Sequence, residues 1–333
     1  MKILVTGGLG FVGSNLCKHF AQDNEVIAID NRYKSLGNYE NYNLIHENDC
    51  KFEYCDIRNT NDIEFLFNNY GGFDVILHMA AQVAFKCSVE NPRLDFEINA
   101  LGTFNLLEAT RRLCPKAIFI YASTNQVYGE LRDETIIEKT TRFDFVDLKE
   151  GVPESYPKDF LSPYGCSKGT GDMYVMDYAR VYGMRTVVTR FGGIYGPHQY
   201  SYEDHGWITF IAEQVLNNFE FNRFGHGKQV RDILFVTDIL SAMDKIIENI
   251  DAVTGEAFNI GGGPKNTLSV LELLKLLEEL TGNKEKSKVN PMRKADKVVM
   301  YLDISKAEKM LGWSPQIDKV SGIEKLISWL KEK

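Results

Sequence analysis

Residues 3–13 read Ile3-Leu4-Val5-Thr6-Gly7-Gly8-Leu9-Gly10-Phe11-Val12-Gly13. The aliphatic run predicts a short buried strand, and the pattern from about Val12 to Gln22 predicts a helix behind it. Glycines between the two allow a tight turn and let the backbone approach a bound pyrophosphate. The helix then offers its free N–H groups to the phosphates. A G-x-G-x-x-G string is weak evidence in isolation. Its position between a strand and a helix at the head of the chain makes it a dinucleotide-binding turn.

Working outward, Glu25-Val26-Ile27-Ala28-Ile29 is a second strand and Asp30 ends it. A carboxylate there accepts both ribose hydroxyls and repels a 2′-phosphate, so the expected cofactor is NAD. Arg32, two residues on, is the one local feature that would suit a 2′-phosphate. The expected cofactor contacts are Gly7, Gly10, Phe11, Val12, Gly13, Asp30, Asn31 and Arg32. Asp56 and Ile57, after a third strand at Lys51-Phe52-Glu53-Tyr54, would lie at the adenine edge, although a helix-capping Asp reads equally well.

The alternation continues with a helix near Thr60–Asn69, the strand Val75-Ile76-Leu77, a long helix over Pro92–Leu113 and the strand Ala117–Tyr121. A helix over about Gly165–Tyr182 and the strand Thr186-Val187-Val188-Thr189 follow. Apolar strands alternating with helices imply a Rossmann-type α/β fold, a doubly wound parallel sheet. Past Arg190 the pattern loosens into aromatic-rich segments and a Leu-rich helix over Leu268–Leu280. The expected division is a dinucleotide domain over 1–190, with 230–250 packing back onto it. A smaller α/β substrate lobe would use 191–229 and 251–333, and the Lys-rich stretch Asn283–Lys288 would be a solvated loop.

The 333 residues are 44% hydrophobic and 25% charged, an ordinary globular composition, and the net charge of −8 argues against binding along nucleic acid. No stretch has the roughly 20 apolar residues of a membrane helix, and Met1–Val5 is too short for a signal peptide. Six cysteines (Cys17, Cys50, Cys55, Cys87, Cys114, Cys166) form no C-x-x-C pair and no zinc spacing. The expectation is a cytoplasmic protein with reduced thiols and no metal.

Ser123-Thr124 closes the fifth strand, and Tyr164-Gly165-Cys166-Ser167-Lys168 opens a helix. Tyr164 and Lys168 are four residues apart and share a helical face. A Tyr near its reference pKa of about 10 is a poor base at neutral pH. A neighbouring ammonium and a positive nicotinamide ring favour the phenolate. Thr124 can then hold a substrate oxygen while Tyr164 moves its proton. The catalytic assignment is Thr124, Tyr164 and Lys168, with Ser123, Tyr164 and Lys168 also at the cofactor. Cys166, two residues after Tyr164, faces away from it and lacks an activating His.

With these residues in place, the chain resembles the extended short-chain dehydrogenase/reductase family of nucleotide-sugar enzymes. The resemblance is carried by Thr6–Gly13, His78-Met79-Ala80-Ala81-Gln82, Asn99, Tyr164–Lys168, Tyr195-Gly196-Pro197, Arg231-Asp232 and Phe258-Asn259-Ile260-Gly261. It implies NAD on the first lobe, lined by Ala80 and Ala81 and steadied by Asn99. It also implies a nucleoside-diphosphate sugar as substrate, with Arg231 and Arg293 on the diphosphate, and a homodimer formed by the helices 92–113 and 165–182. Gln82, Thr124, Asn125 and Gln199 are the remaining expected sugar contacts.

Dehydratases of this family carry an Asp-Glu pair after the strand-end Thr, where this chain has Asn125-Gln126. Neither amide shuttles a proton. The string Ser123–Gly129, with Gln82-Val83-Ala84, Asp159–Gly169 and Gly227–Asp232, is similar to family members that invert C2 of CDP-activated deoxyhexoses. Phe191-Gly192-Gly193 and His205 depart from that pattern, which leaves the sugar itself open. A 4-epimerase, a reductase or a dehydratase of the same fold would share Tyr164 and Lys168. A non-catalytic dinucleotide-binding protein would need neither.

Overall fold

The computed structural model describes residues 1–33, 37–292 and 297–333. The chain forms two compact units, one of Met1–Val127, Phe160–Arg190 and Leu240–Phe258, the other of Tyr128–Asp159, Phe191–Ile239 and Asn259–Lys333.

The first unit is built on strands β1 (Lys2–Thr6), β2 (Glu25–Asp30), β3 (Lys51–Tyr54), β4 (Val75–His78) and β5 (Ile118–Thr124). Together with the strands Arg185–Phe191 and Ala257–Ile260 they make a seven-stranded sheet. Its order is Ala257–Ile260, Arg185–Phe191, β5, β4, β1, β2, β3. The pairs β1–β2, β1–β4, β2–β3 and β4–β5 are all parallel. β1 is flanked by β2 on one side and β4 on the other. The order reverses there, and in such sheets the crevice at the strands' carboxyl ends receives the ligand. Register places Thr6 opposite His78 and His78 opposite Tyr121 at that end.

The connecting helices are α1 (Phe11–Phe20), α2 (Asn38–Glu47), α3 (Thr60–Tyr70), α4 (Phe85–Glu90), α5 (Pro92–Phe96), α6 (Gly102–Leu113) and α7 (Ser162–Tyr182). A core of Leu4, Ile76, Phe119, Tyr121, Leu106, Val175 and Tyr178 binds one sheet face to α6 and α7. Fully burying a Leu, Ile or Phe contributes about 1.5–3 kcal/mol. The inner strands β1, β4 and β5 are largely apolar because both faces are covered, whereas the edge strand β3 is partly exposed.

Three elements differ from the sequence reading. The helix expected over Pro92–Leu113 is broken by a π-helical turn at Glu97–Leu101, which carries Asn99. α2 had no apolar periodicity to announce it. Residues Ser287–Asn290, expected in a solvated loop, pair in parallel with Phe221–Phe224. A two-stranded ribbon of mostly polar residues buries little and so leaves no hydrophobic signature.

The second unit has its own core, including Tyr195, Ile211, Phe221, Ile233, Leu273 and Leu326. Its central strand Val230–Phe235 pairs with Gly193–Tyr195, Thr267–Ser269 and Val299–Met300. The helix Val270–Thr281 starts at a capping box, Ser269 with Glu272, a signal present in the sequence. Among the described residues, no helix is long and apolar enough to cross a membrane.

Candidate active site

The glycine-rich turn closes on itself tightly. A Cβ on Gly13 would lie 2.1 Å from the Gly7 carbonyl oxygen. Gly7 has φ +68°, and a Cβ there would lie 2.9 Å from the Ala80 backbone. The turn therefore packs directly on the loop after β4. No side chain caps the first N–H groups of α1, and its first turn holds no acidic residue. Gly10 is exposed, and Phe11 and Val12 are partly so. This cradle fits a pyrophosphate.

Asp30 sits beside that turn, accepting the Leu9 N–H at 3.3 Å and the Arg32 N–H at 2.7 Å. Arg32 has its guanidinium over the rings of Phe52 and Tyr42, at 4.9 and 5.5 Å. Asp56 is committed to its neighbours. It accepts from Arg58 through three side-chain bonds of 2.6–3.2 Å and from Asn31 Nδ2 at 3.1 Å. These bonds hold its carboxyl down at about 2. The Ile57 side chain packs against Gly102, where an added Cβ would lie 2.6 Å away.

The candidate catalytic pair is set by the start of α7. Ser162, at φ +72°, accepts the Gly165 N–H with its hydroxyl, and Pro163 stands in the first helical turn. Tyr164 and Lys168 then follow one turn apart. Burial pushes the Tyr164 phenol up to about 12, against the pull of the Thr124 hydroxyl, which favours the phenolate. Lys168 is buried, and its ammonium lies 4.2 Å from the centre of the Tyr121 ring. Burial pushes Lys168 down to about 7 against the attraction of Asp95 and Asp172. Ser123 turns elsewhere, donating to Asp172 Oδ2 at 2.9 Å. Asn125 is buried beside it, and the Gln126 N–H points at the Thr124 oxygen, 3.3 Å away.

Asn99 knits the site together. Its Nδ2 donates to the Gln82 carbonyl at 2.9 Å, to Asp95 Oδ1 at 3.2 Å and to Ser167 Oγ at 3.1 Å, and its Oδ1 accepts the Gln82 N–H at 2.9 Å. Gln82 is itself buried. Its side chain donates to the Ala84 carbonyl and to Asp95, so both amide hydrogens are used inside the protein. Ala80 donates its N–H to Thr6 Oγ1 at 3.0 Å, and Ala81 follows partly exposed. Cys166 is exposed, away from the Tyr164–Lys168 face.

In the second unit, Arg231 donates to the Val230 carbonyl at 2.7 Å and the Lys297 carbonyl at 2.6 Å. Gln199 is buried, donating to the Ile194 carbonyl and accepting from Thr209. Arg293 lies outside the described residues.

The sequence reading missed Asp95 and Asp172, whose charges act on Lys168, and Arg190, which pairs with Asp172. The signal was present as spacing. Asp172 stands four residues after Lys168 and Asp95 four before Asn99, each on the same helical side as its partner.

A family model described as GDP-mannose 4,6 dehydratase matches residues 4–326. The chain is 40% identical to the CDP-paratose 2-epimerase of Salmonella typhi, over 99% of both chains. The crystal structure of UDP-glucose 4-epimerase from Thermotoga maritima, with UDP-glucose, superposes with a TM-score of 0.87. Identity is 32%, covering 100% of this chain and 99% of that one. The Thermus thermophilus UDP-glucose 4-epimerase in complex with NAD gives a TM-score of 0.83 at 28% identity, covering 99% of each chain. The glycine-rich turn, the Tyr164–Lys168 helix and this end-to-end similarity agree. The chain belongs to the extended short-chain dehydrogenase/reductase family of NAD-dependent nucleotide-sugar epimerases and dehydratases.

Proposed function

We propose that the protein is an NAD-dependent epimerase that inverts C2 of a CDP-activated deoxyhexose, of the CDP-paratose and CDP-tyvelose type. The observation that carries this reading is the 40% identity with the Salmonella typhi enzyme, which runs the full length of both chains and so includes the second unit. The strand end agrees. Asn125 and Gln126 follow Thr124 where a dehydratase needs an acid–base pair, and a carboxamide cannot shuttle a proton at neutral pH.

The inverted carbon dictates the route. A ketone at C4 acidifies the hydrogens on C3 and C5 and not that on C2, so the simplest route to inversion oxidises the C2 hydroxyl itself. NAD bound there would supply the hydride acceptor for C2 and the hydride donor for its return to the opposite face. Thr124 holds the sugar oxygen and Tyr164 takes its proton, returning it when the hydroxyl re-forms. Lys168 supplies the positive charge that brings the phenol down from its buried value toward neutrality. The pyrophosphate of NAD is assigned to Gly7–Gly13, its adenosine ribose to Asp30, and the sugar diphosphate to Arg231 with Arg293.

A 4-epimerase is the second reading, favoured by the TM-score of 0.87 to the Thermotoga maritima enzyme. Incubation with CDP-, UDP-, GDP- and dTDP-hexoses in D₂O, followed by NMR, separates the two by the carbon inverted. Inversion at C2 of a CDP-sugar without deuterium there is the expected result. Solvent deuterium at C2 sinks the hydride route, and inversion only at C4 sinks the C2 assignment.

The same reading includes a homodimer. Phe96, Phe104, Met173, Tyr174 and Val181 are exposed on α5, α6 and α7, with the Phe104 and Tyr174 rings 5.6 Å apart. A second copy of this apolar face is the partner they fit. Light scattering behind a sizing column gives twice the chain mass if so.

A further inference from the structure

Two carboxylates act on buried Lys168, and they are not equivalent. Asp172 is bound through both oxygens by Arg190, with Nε–Oδ2 2.8 Å and Nη2–Oδ1 3.0 Å. That pair is already neutral. Asp95, fully buried on α5, has only neutral partners in its hydrogen bonds: Ser167 Oγ at 2.5 Å, Gln82 Nε2 at 2.9 Å and Asn99 Nδ2 at 3.2 Å. Among the described residues, the other groups around Lys168 bring no charge. Tyr121 on β5 is a neutral ring with its hydroxyl donated to the Lys168 carbonyl at 3.2 Å. His78 on β4 is hydrogen-bonded to Thr6 and Thr103, and burial pushes it down to about 3, so it is neutral. Tyr164 is a neutral phenol at rest. An isolated buried ammonium costs several kcal/mol and demands an unspent negative charge nearby.

We propose that Asp95 is a positioning residue of the reaction, whose carboxylate, clasped by Ser167, Gln82 and Asn99, is the counter-charge that keeps buried Lys168 an ammonium. The clasp also ties the first turns of α7, through Ser167, to the π-turn at Asn99 and the loop after β4. The charge thereby stays fixed relative to the turn that carries Tyr164. This inference rests on the assignment of Tyr164 and Lys168 as the catalytic pair. Asp95 was given no role in the sequence reading.

The test is the pH profile of turnover at saturating NAD and nucleotide sugar. Removing the negative charge lowers the proton affinity of both Lys168 and Tyr164, because each titrates in its field. Asp95→Asn and Asp95→Ser, both used so that one misfolded variant does not remove the readout, are expected to move both limbs of the profile to lower pH by about one unit or more. Asp95→Glu keeps the charge and leaves the limbs in place. Ser167→Ala keeps the carboxylate while loosening the clasp, and lowers the height alone. Limbs that stay put in both neutral variants, with only the height reduced, overturn the proposal and leave Asp95 a structural hydrogen-bond acceptor. Lys168→Met and Tyr164→Phe are run alongside. If these turn over normally, the catalytic assignment itself is wrong. If they are inactive while the Asp95 limbs do not move, only the role of Asp95 falls.

Discussion

Asp172 and Arg190 meet in a two-bond ion pair inside the first unit, with side chains 0% and 1% exposed. α7 supplies the carboxylate and the strand Arg185–Phe191 the guanidinium, so the pair fastens the catalytic helix to the sheet. Ser123, at the end of β5, donates to the same carboxylate. Arg190→Met leaves Asp172 buried and unbalanced beside Lys168. The expected loss is about 3–5 kcal/mol of unfolding free energy in chemical denaturation.

Tyr164→Phe removes only the phenolic oxygen. A general acid–base group contributes typically 10²–10⁴-fold in rate. Turnover is expected to fall by at least that range, with NAD still bound and the melting temperature within a few degrees of native. A near-native rate removes Tyr164 from the mechanism.

Gly13→Ala drives a methyl group into the Gly7 carbonyl, 2.1 Å from an ideal Cβ. The helix start must shift away from the turn. NAD affinity, read by cofactor fluorescence or calorimetry, is expected to drop at least tenfold. Gly183→Ala is the control, since nothing lies within 4 Å of a Cβ there. Its positive φ costs about 1–2 kcal/mol of stability, without touching the turn.

His78 makes the protein acid-sensitive. Burial depresses its folded pKa to about 3, whereas in the unfolded chain it titrates near its ordinary value of 6.5. Between these values the unfolded state binds the extra proton, so stability rises with pH across the window and is lost as pH falls through it. The slope from this one group is at most about 1.4 kcal/mol per pH unit. His78→Gln is expected to flatten the measured slope between pH 3 and 6.5 by up to that amount.

The nucleotide-binding half was legible because its signals are local. Ile3–Val5 and the glycines announce a strand, a turn and a helix within a few residues, and apolar strands reveal a two-sided sheet. Tyr164 and Lys168 were legible for the same reason, since helical spacing alone puts them on one face. What escaped was long-range. Asp95 reaches Ser167, and Arg190 reaches Asp172, only after the sheet has assembled. The π-turn at Asn99 has no sequence periodicity of its own. Residues 128–159 leave the first unit for the second without any change in composition. Gln82 and Gln199, both expected at the sugar, have buried side chains used in bonds to the protein, a fact no single-residue propensity contains.

Gly165, Gly169 and Gly171 lie inside α7, where a Cβ on Gly171 would sit 2.4 Å from the Tyr121 hydroxyl and one on Gly169 2.4 Å from the Phe160 ring. Each interior glycine weakens a helix by about 1 kcal/mol relative to Ala. Alone, this segment is a poor helix, and its order comes from lying close against β5. Tyr164 and Lys168 therefore hold their places only while that contact does. A slight local opening of α7 from the sheet, far short of unfolding, silences the enzyme, and turnover should fade on heating before the fold melts.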